Sequence, residues 1–169
     1  MNKGKIFEKD FQESVPSDVY CQKLQDAAIG FNVEESTQRF APKSPYDYFL
    51  YRYPNMWCLE LKSTEGTSMS FDGKTPMIKK HQRIELMKAY EKGCIAGLVL
   101  NFRKYPLTYY VPIQVFEEFV KNTDKKSINV KDIQDMIAND VEVPILISQE
   151  LKQIHYRYAV DRFLKVTGY

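Results

Sequence analysis

The chain has 169 residues, 44% hydrophobic and 14% aromatic, with a formal net charge of +2. That is enough for one compact domain with a core, expected over residues 1–169, and too near neutrality for binding a polyanion by bulk charge. Cys21, Cys58 and Cys94 are widely spaced and odd in number, which argues against a disulfide framework or a CxxC zinc site, and no run approaches the ~20 apolar residues of a membrane helix. The expectation is a soluble cytoplasmic protein with no membrane partner.

The first predicted helix runs from about Gly4 to Ser14, and its spacing puts Gly4, Glu8, Phe11 and Val15 on one face. Glu8 is then a polar insertion in a packing face, or an ordinary first-turn carboxylate that complements the helix dipole. Gly4 between Lys3 and Lys5 would let an anion approach the helix N-terminus. Pro16-Ser17 is read as the start of a second helical segment carrying Val19, Tyr20, Leu24 and Ala27, ended by Gly30. Phe31 to Lys43 reads as a polar, irregular loop.

Tyr46 to Tyr53 and Met56 to Ser63 are rich in aromatic and apolar residues, and Pro54-Asn55 is a turn signal between them, so they predict a hairpin. Residues two apart on a strand share a face. Trp57, Leu59 and Leu61 form one stripe, and Met56, Cys58, Glu60 and Lys62 the other. A charged pair among apolar neighbours is costly unless paired or metal-bound. Asp47, Glu60 and Lys62 can converge here, and two carboxylates with an ammonium at a sheet rim suit metal-assisted phosphodiester hydrolysis. The alternative is a solvent-facing Glu–Lys pair, because ExK is short.

Thr64 to Pro76 is expected as a loop. Met77 to Gly93 predicts a helix whose stripe Ile78, Gln82, Leu86 and Tyr90, with Ala89 beside it, contains one amide. Gln82 needs a partner there, either backbone at the core edge or a metal through its oxygen. His81 lies a step round the helix and either faces phosphate or packs on Met77 and Ile84. Between Lys74 and Lys92 six basic residues face two acids, whereas Glu117 to Glu142 holds four lysines against seven acids. Lys79, Lys80 and Arg83 could therefore follow phosphates, or form a solvated face. Beyond the helix, Cys94 to Phe102 and Thr108 to Val111 predict adjacent strands. Pro112 starts a helix with the stripe Val115, Phe116, Phe119 and Val120, and Lys131 to Asn139 is a further short helix. Val143 to Ile147 is strand-like, and the tyrosine-rich tail fits either core or dimer contact.

In order, NKGKIFE, YCQKLQDAA, SPYDYF, LELKSTEGTSMSF, IKKHQRIELMKAY, CIAGLVLNF, TYYVPIQVFEEF and KKSINVKDI resemble the RecU family of Holliday junction resolvases, of the PD-(D/E)xK nuclease superfamily, over most of the chain. The resemblance implies an α/β fold with a restriction-endonuclease-like central mixed sheet flanked by helices. It also implies that Asp47, Glu60 and Gln82 ligate Mg²⁺ or Mn²⁺, that Lys62 stabilises the transition state, and that Glu8 belongs to the active-site rim. The implied partners are a DNA four-way junction, a second copy in a homodimer, and recombination or branch-migration proteins. Three departures stand out: Pro45 where the family often has a threonine, a short Gly30 to Lys43 in place of a stalk, and no basic N-terminal extension. They suggest a compact, phage-type version. The rival readings are a flap, fork or duplex nuclease of the same superfamily, a noncatalytic junction-binding scaffold, and a purely structural protein.

Overall fold

Alternation along one long strand divides the molecule into two layers. In the computed structural model, which describes residues 2–25, 43–139 and 144–168, strand β3 covers Asn55–Thr64. Trp57, Leu59 and Leu61 enter a core with Phe7, Phe11, Tyr110, Tyr158, Phe163 and Leu164, while Cys58 enters a second core with Leu86, Leu98, Val111, Phe116 and Ile133. Each layer buries one face of the sheet, as the period-two pattern requires.

Before β3 come α1 (Lys3–Glu13), β1 (Tyr20–Lys23) and β2 (Tyr48–Arg52). After it come β4 (Ser68–Ser70), α2 (Lys80–Glu91), β5 (Ile95–Phe102), β6 (Leu107–Pro112), α3 (Ile113–Asn122), β7 (Ser127–Asn129) and α4 (Val130–Ala138). The C-terminal part adds β8 (Ile145–Leu146), β9 (Gln149–Lys152), β10 (His155–Tyr158) and α5 (Val160–Thr167). The six-stranded sheet has the order β1-β2-β3-β5-β6-β8. Strands β3 and β5 are parallel, with Glu60 opposite Leu98 and Lys62 opposite Leu100, and the other pairings are antiparallel. The sheet is therefore mixed, and α2 lies in the connection between its two parallel strands, as a parallel pairing demands.

The structure corrects several sequence expectations. Val19 to Lys23 is not helical. Tyr20–Lys23 forms β1, paired with β2 from Tyr20↔Tyr51 to Lys23↔Tyr48. The apolar spacing Val19, Cys21 suits an edge strand whose other side, Tyr20 and Gln22, is exposed. Ala27, Gly30 and the predicted loop from Phe31 lie outside the described residues, except Lys43. The loop from Thr64 contains β4, which pairs with β7. Helix α2 begins at Lys80, three residues later than expected, because Met77 and Ile78 donate their N–H groups to Ser70 Oγ (3.0 Å) and Ser70 O (2.9 Å). On α1 the buried residues are Phe7, Asp10 and Phe11, so Glu8 flanks the packing face instead of lying in it. The tail is core: Tyr158, Val160, Phe163 and Leu164 are buried. Val143 lies outside the described residues.

Gly97 on β5 is a close-approach position. A Cβ there would lie 2.5 Å from Val111 O and 2.6 Å from the Tyr110 ring, so the bare backbone lets Tyr110 lie across β5 and donate its hydroxyl to Ala96 O (3.1 Å).

Candidate active site

Asp47 is fixed across β3 by two contacts. Its N–H donates to Leu59 O (3.1 Å), and its Oδ2 accepts from Leu61 N (2.8 Å). A side-chain oxygen thus stands in for a ladder carbonyl and holds the carboxyl beside Glu60.

Glu60 is fully buried. Its Oε1 accepts from Gln82 Nε2 (2.5 Å) and pairs with Lys62 Nζ (2.6 Å), whereas its Oε2 is buried without a hydrogen-bond partner among the described residues. Gln82 is the third residue of α2, and its Oε1 accepts from Lys79 N (3.3 Å). The amide thus closes the helix N-terminus on one side and meets the Glu60 carboxylate of β3 on the other. Half a turn of that amide would exchange nitrogen for oxygen beside Glu60.

Burial drives the electrostatics. It pushes the Glu60 carboxyl up to about 7, helped by the Asp47 charge and opposed by Lys62. Burial also raises Asp47, against the Leu61 N–H and the Lys62 ammonium. Two neighbouring carboxylates that resist ionisation, with one orphaned oxygen, are relieved by a cation. The donor set Asp47, Glu60 and Gln82 offers hard oxygens of the kind that hold Mg²⁺ or Mn²⁺. Among the described residues no three His, Cys, Asp or Glu gather into a metal-holding group, so the set is two carboxylates and an amide.

Glu8 borders this centre, and its charge raises both Asp47 and Glu60. Its Oε2 pairs with Lys23 Nζ at 2.6 Å. Lys23 is a site-border residue that sequence reasoning passed over. Read as helical it had no defined neighbour, but on β1 it stands opposite Tyr48, next to Asp47.

A polar cleft opens at the centre, lined by Lys43, Ser44, Tyr46, Asp47, Lys79, His81 and Gln82, with Leu24. Lys79 and His81 thus share a cleft with Asp47 and Gln82. The other predicted basic residues lie elsewhere. Lys80 and Arg83 line a groove between α2 and α3, where Arg83 clamps Glu117 through two hydrogen bonds (2.6 and 2.9 Å) and sits over the Phe116 ring. Lys3 pairs with Glu65, Lys5 is exposed, and the N–H of Gly4 donates to the capping Asn2 Oδ1 (2.9 Å).

A mixed sheet that carries an aspartate, a Glu-x-Lys strand and a helical glutamine to one point has the make-up of a PD-(D/E)xK nuclease domain. Residues 2–161 match the family model of Recombination protein U, RecU, and the chain belongs to that family of Holliday junction resolvases. It is 27% identical over 173 aligned positions to the SPbeta prophage-derived uncharacterized protein YotM of Bacillus subtilis (strain 168), covering 95% of this chain and 84% of that protein. Among solved structures it is similar to Archaeoglobus fulgidus Hjc, a Holliday junction resolvase from an archaeal hyperthermophile, with a TM-score of 0.49 and 16% identity over 76% of this chain and 90% of the other.

Proposed function

We propose that this protein resolves Holliday junctions by paired, symmetric nicks, through divalent-metal-dependent phosphodiester hydrolysis in a C2 homodimer. The observation that carries the reading is the buried Glu60 carboxylate, set against Asp47, Lys62 and Gln82 with one oxygen left without a partner among the described residues. A structural ion pair does not need that arrangement, and burying it without a ligand is costly. The match to a prophage-derived relative across most of the chain fits a compact, phage-type member of the family.

Asp47, Glu60 and Gln82 would hold Mg²⁺ or Mn²⁺. When bound, such an ion activates water and neutralises charge on a phosphate. Lys62 Nζ, paired with Glu60, would orient the attacking water and donate to the phosphoryl oxygens as negative charge builds. The attacking water would release one proton to solvent as its oxygen adds to phosphorus, the bond to the 3′ oxygen would break, and that oxygen would take a proton from solvent, leaving 5′-phosphate and 3′-hydroxyl ends. Glu8, held by Lys23, positions the rim beside Asp47. Lys79 and His81 line the side of the cleft where a phosphate backbone would lie. A four-way junction has approximate two-fold symmetry, so a C2 dimer would present two such centres to opposed strands.

The test is product mapping on a four-way junction, a flap, a fork and a linear duplex of matched sequence. The reading predicts two symmetric nicks in the junction, which ligase can reseal. Equal cutting of every DNA would replace the substrate with a general duplex, and junction binding with no nick in Mg²⁺ or Mn²⁺ would leave a noncatalytic scaffold.

A further inference from the structure

A buried polar chain crosses the sheet just beyond Lys62. Ser63 Oγ donates to Asn101 Oδ1 (2.7 Å), Asn101 Nδ2 donates to Thr108 Oγ1 (2.8 Å), and Thr108 Oγ1 donates to Gln149 Oε1 (2.6 Å). Asn101 and Thr108 are buried, so each of these bonds is costly to break and the chain is stiff. Arg103 completes it. Its Nη1 donates to Ser63 Oγ (2.9 Å), and its backbone N–H donates to Thr64 O (2.9 Å).

The guanidinium is thereby held where β3 leaves the active site. Its Nε is buried with no hydrogen-bond partner among the described residues, yet 27% of the side chain is open to solvent. The acid facing it is Glu65, 3.8 Å from Nη2, which also pairs with Lys3. Two cations thus share one carboxylate that is itself 57% exposed, and an ion pair of this kind is weak in water. A pre-ordered guanidinium whose Nη2 faces outward suits phosphate recognition and loses little freedom on binding. Arg103 follows the face of Ser63, opposite that of Lys62, so a phosphate it holds is not the one being cut.

We infer that Arg103 anchors a phosphate of the bound DNA beside the end of β3, and that Glu65 is the internal anion which that phosphate replaces. The inference rests on the protein's reading as a junction nuclease. Glu65 then acts as a gate: it keeps Arg103 and Lys3 paired in the free protein and sets how tightly DNA must compete for them.

The experiment is a fluorescence-anisotropy titration of a labelled four-way junction, with Ca²⁺ in place of Mg²⁺, across a series of salt concentrations. Wild type, Arg103→Gln, Arg103→Lys and Glu65→Gln are compared, each checked for folding by circular dichroism. Arg103→Gln is expected to weaken binding on the order of tenfold and to reduce the salt slope by about one. Arg103→Lys should keep the slope, and Glu65→Gln should bind several-fold tighter than wild type. A folded Arg103→Gln with wild-type affinity and slope overturns the inference, as does a folded Glu65→Gln that binds no tighter. Should Arg103→Gln not fold, the Glu65→Gln result decides alone. Wild type that binds no DNA overturns the functional reading itself, whereas normal wild-type binding with unaltered variants overturns only this inference.

Discussion

Glu60 carries two opposed demands. Buried beside Asp47, it holds a proton up to about pH 7 in the metal-free protein, whereas in the unfolded chain it releases that proton near the ordinary 4.5. Between those values the folded state binds more protons than the unfolded one, so this group's contribution to stability falls as pH rises through the window. A divalent ion held at the proposed site would compete with the proton for the same oxygens. The thermal upshift produced by Mg²⁺ should therefore grow from pH 5 to pH 8, and Glu60→Gln should lose both the upshift and the pH dependence. Differential scanning fluorimetry at fixed ionic strength measures this, and a Mg²⁺ upshift of equal size at both pH values would contradict it. Lys62→Met poses the complementary question. Removing the ammonium 2.6 Å from Glu60 takes away the charge that offsets burial, so the carboxyl should hold its proton to still higher pH. Nicking should fall by at least a hundredfold, as for loss of a group that stabilises developing charge, while junction affinity in Ca²⁺ changes little.

At the scale of elements, the geometry of the candidate site depends on how β3, β5 and α2 pack. Gly97→Ala would drive a methyl into Val111 O and the Tyr110 ring, costing about 1–3 kcal/mol by overpacking. Urea denaturation checks it, and an unchanged midpoint would show that β5 and β6 can separate freely. Arg83 joins α2 to α3 through Glu117. Arg83→Met should lower stability by about 1–3 kcal/mol, since it strands a half-buried carboxylate, and leave the salt slope of DNA binding intact. A reduced slope would instead make Arg83 a phosphate contact. The elements also show what could be read in advance. The two stripes of β3 follow from strict alternation, and the inward amide of Gln82 from its place in an apolar helical stripe, so the convergence of these side chains was legible. Lys23 and Asp10 were not. The spacing of Val19, Tyr20 and Leu24 fits a helix as well as a strand, and only pairing with β2 selects the strand. Asp10 reads as an exposed helix residue until β10 supplies the Tyr156 N–H (2.9 Å) and the His155 ring (2.7 Å) that satisfy it. Both depend on partners distant in sequence, for which local periodicity carries no signal. The chain from Ser63 to Gln149 is hidden for the same reason.

For the whole molecule, a net charge of +2 would leave DNA binding to local surfaces: Lys43, Lys79 and His81 in the cleft, and Lys3 with Arg103 about Glu65 beyond the end of β3. Substrate choice would then come from the shape that two such surfaces present across a dimer, since phosphate contacts position DNA without reading its sequence. The central claim is that Asp47, Glu60, Lys62 and Gln82 form one metal-dependent cutting centre. It is tested most directly by Mg²⁺-dependent nicking of a mobile four-way junction by wild type and Glu60→Ala, with junction binding followed in parallel in Ca²⁺. The account predicts paired nicks by wild type, and a folded Glu60→Ala protein that binds the junction with near wild-type affinity and does not cut it. Nicking by Glu60→Ala at the wild-type rate would contradict it.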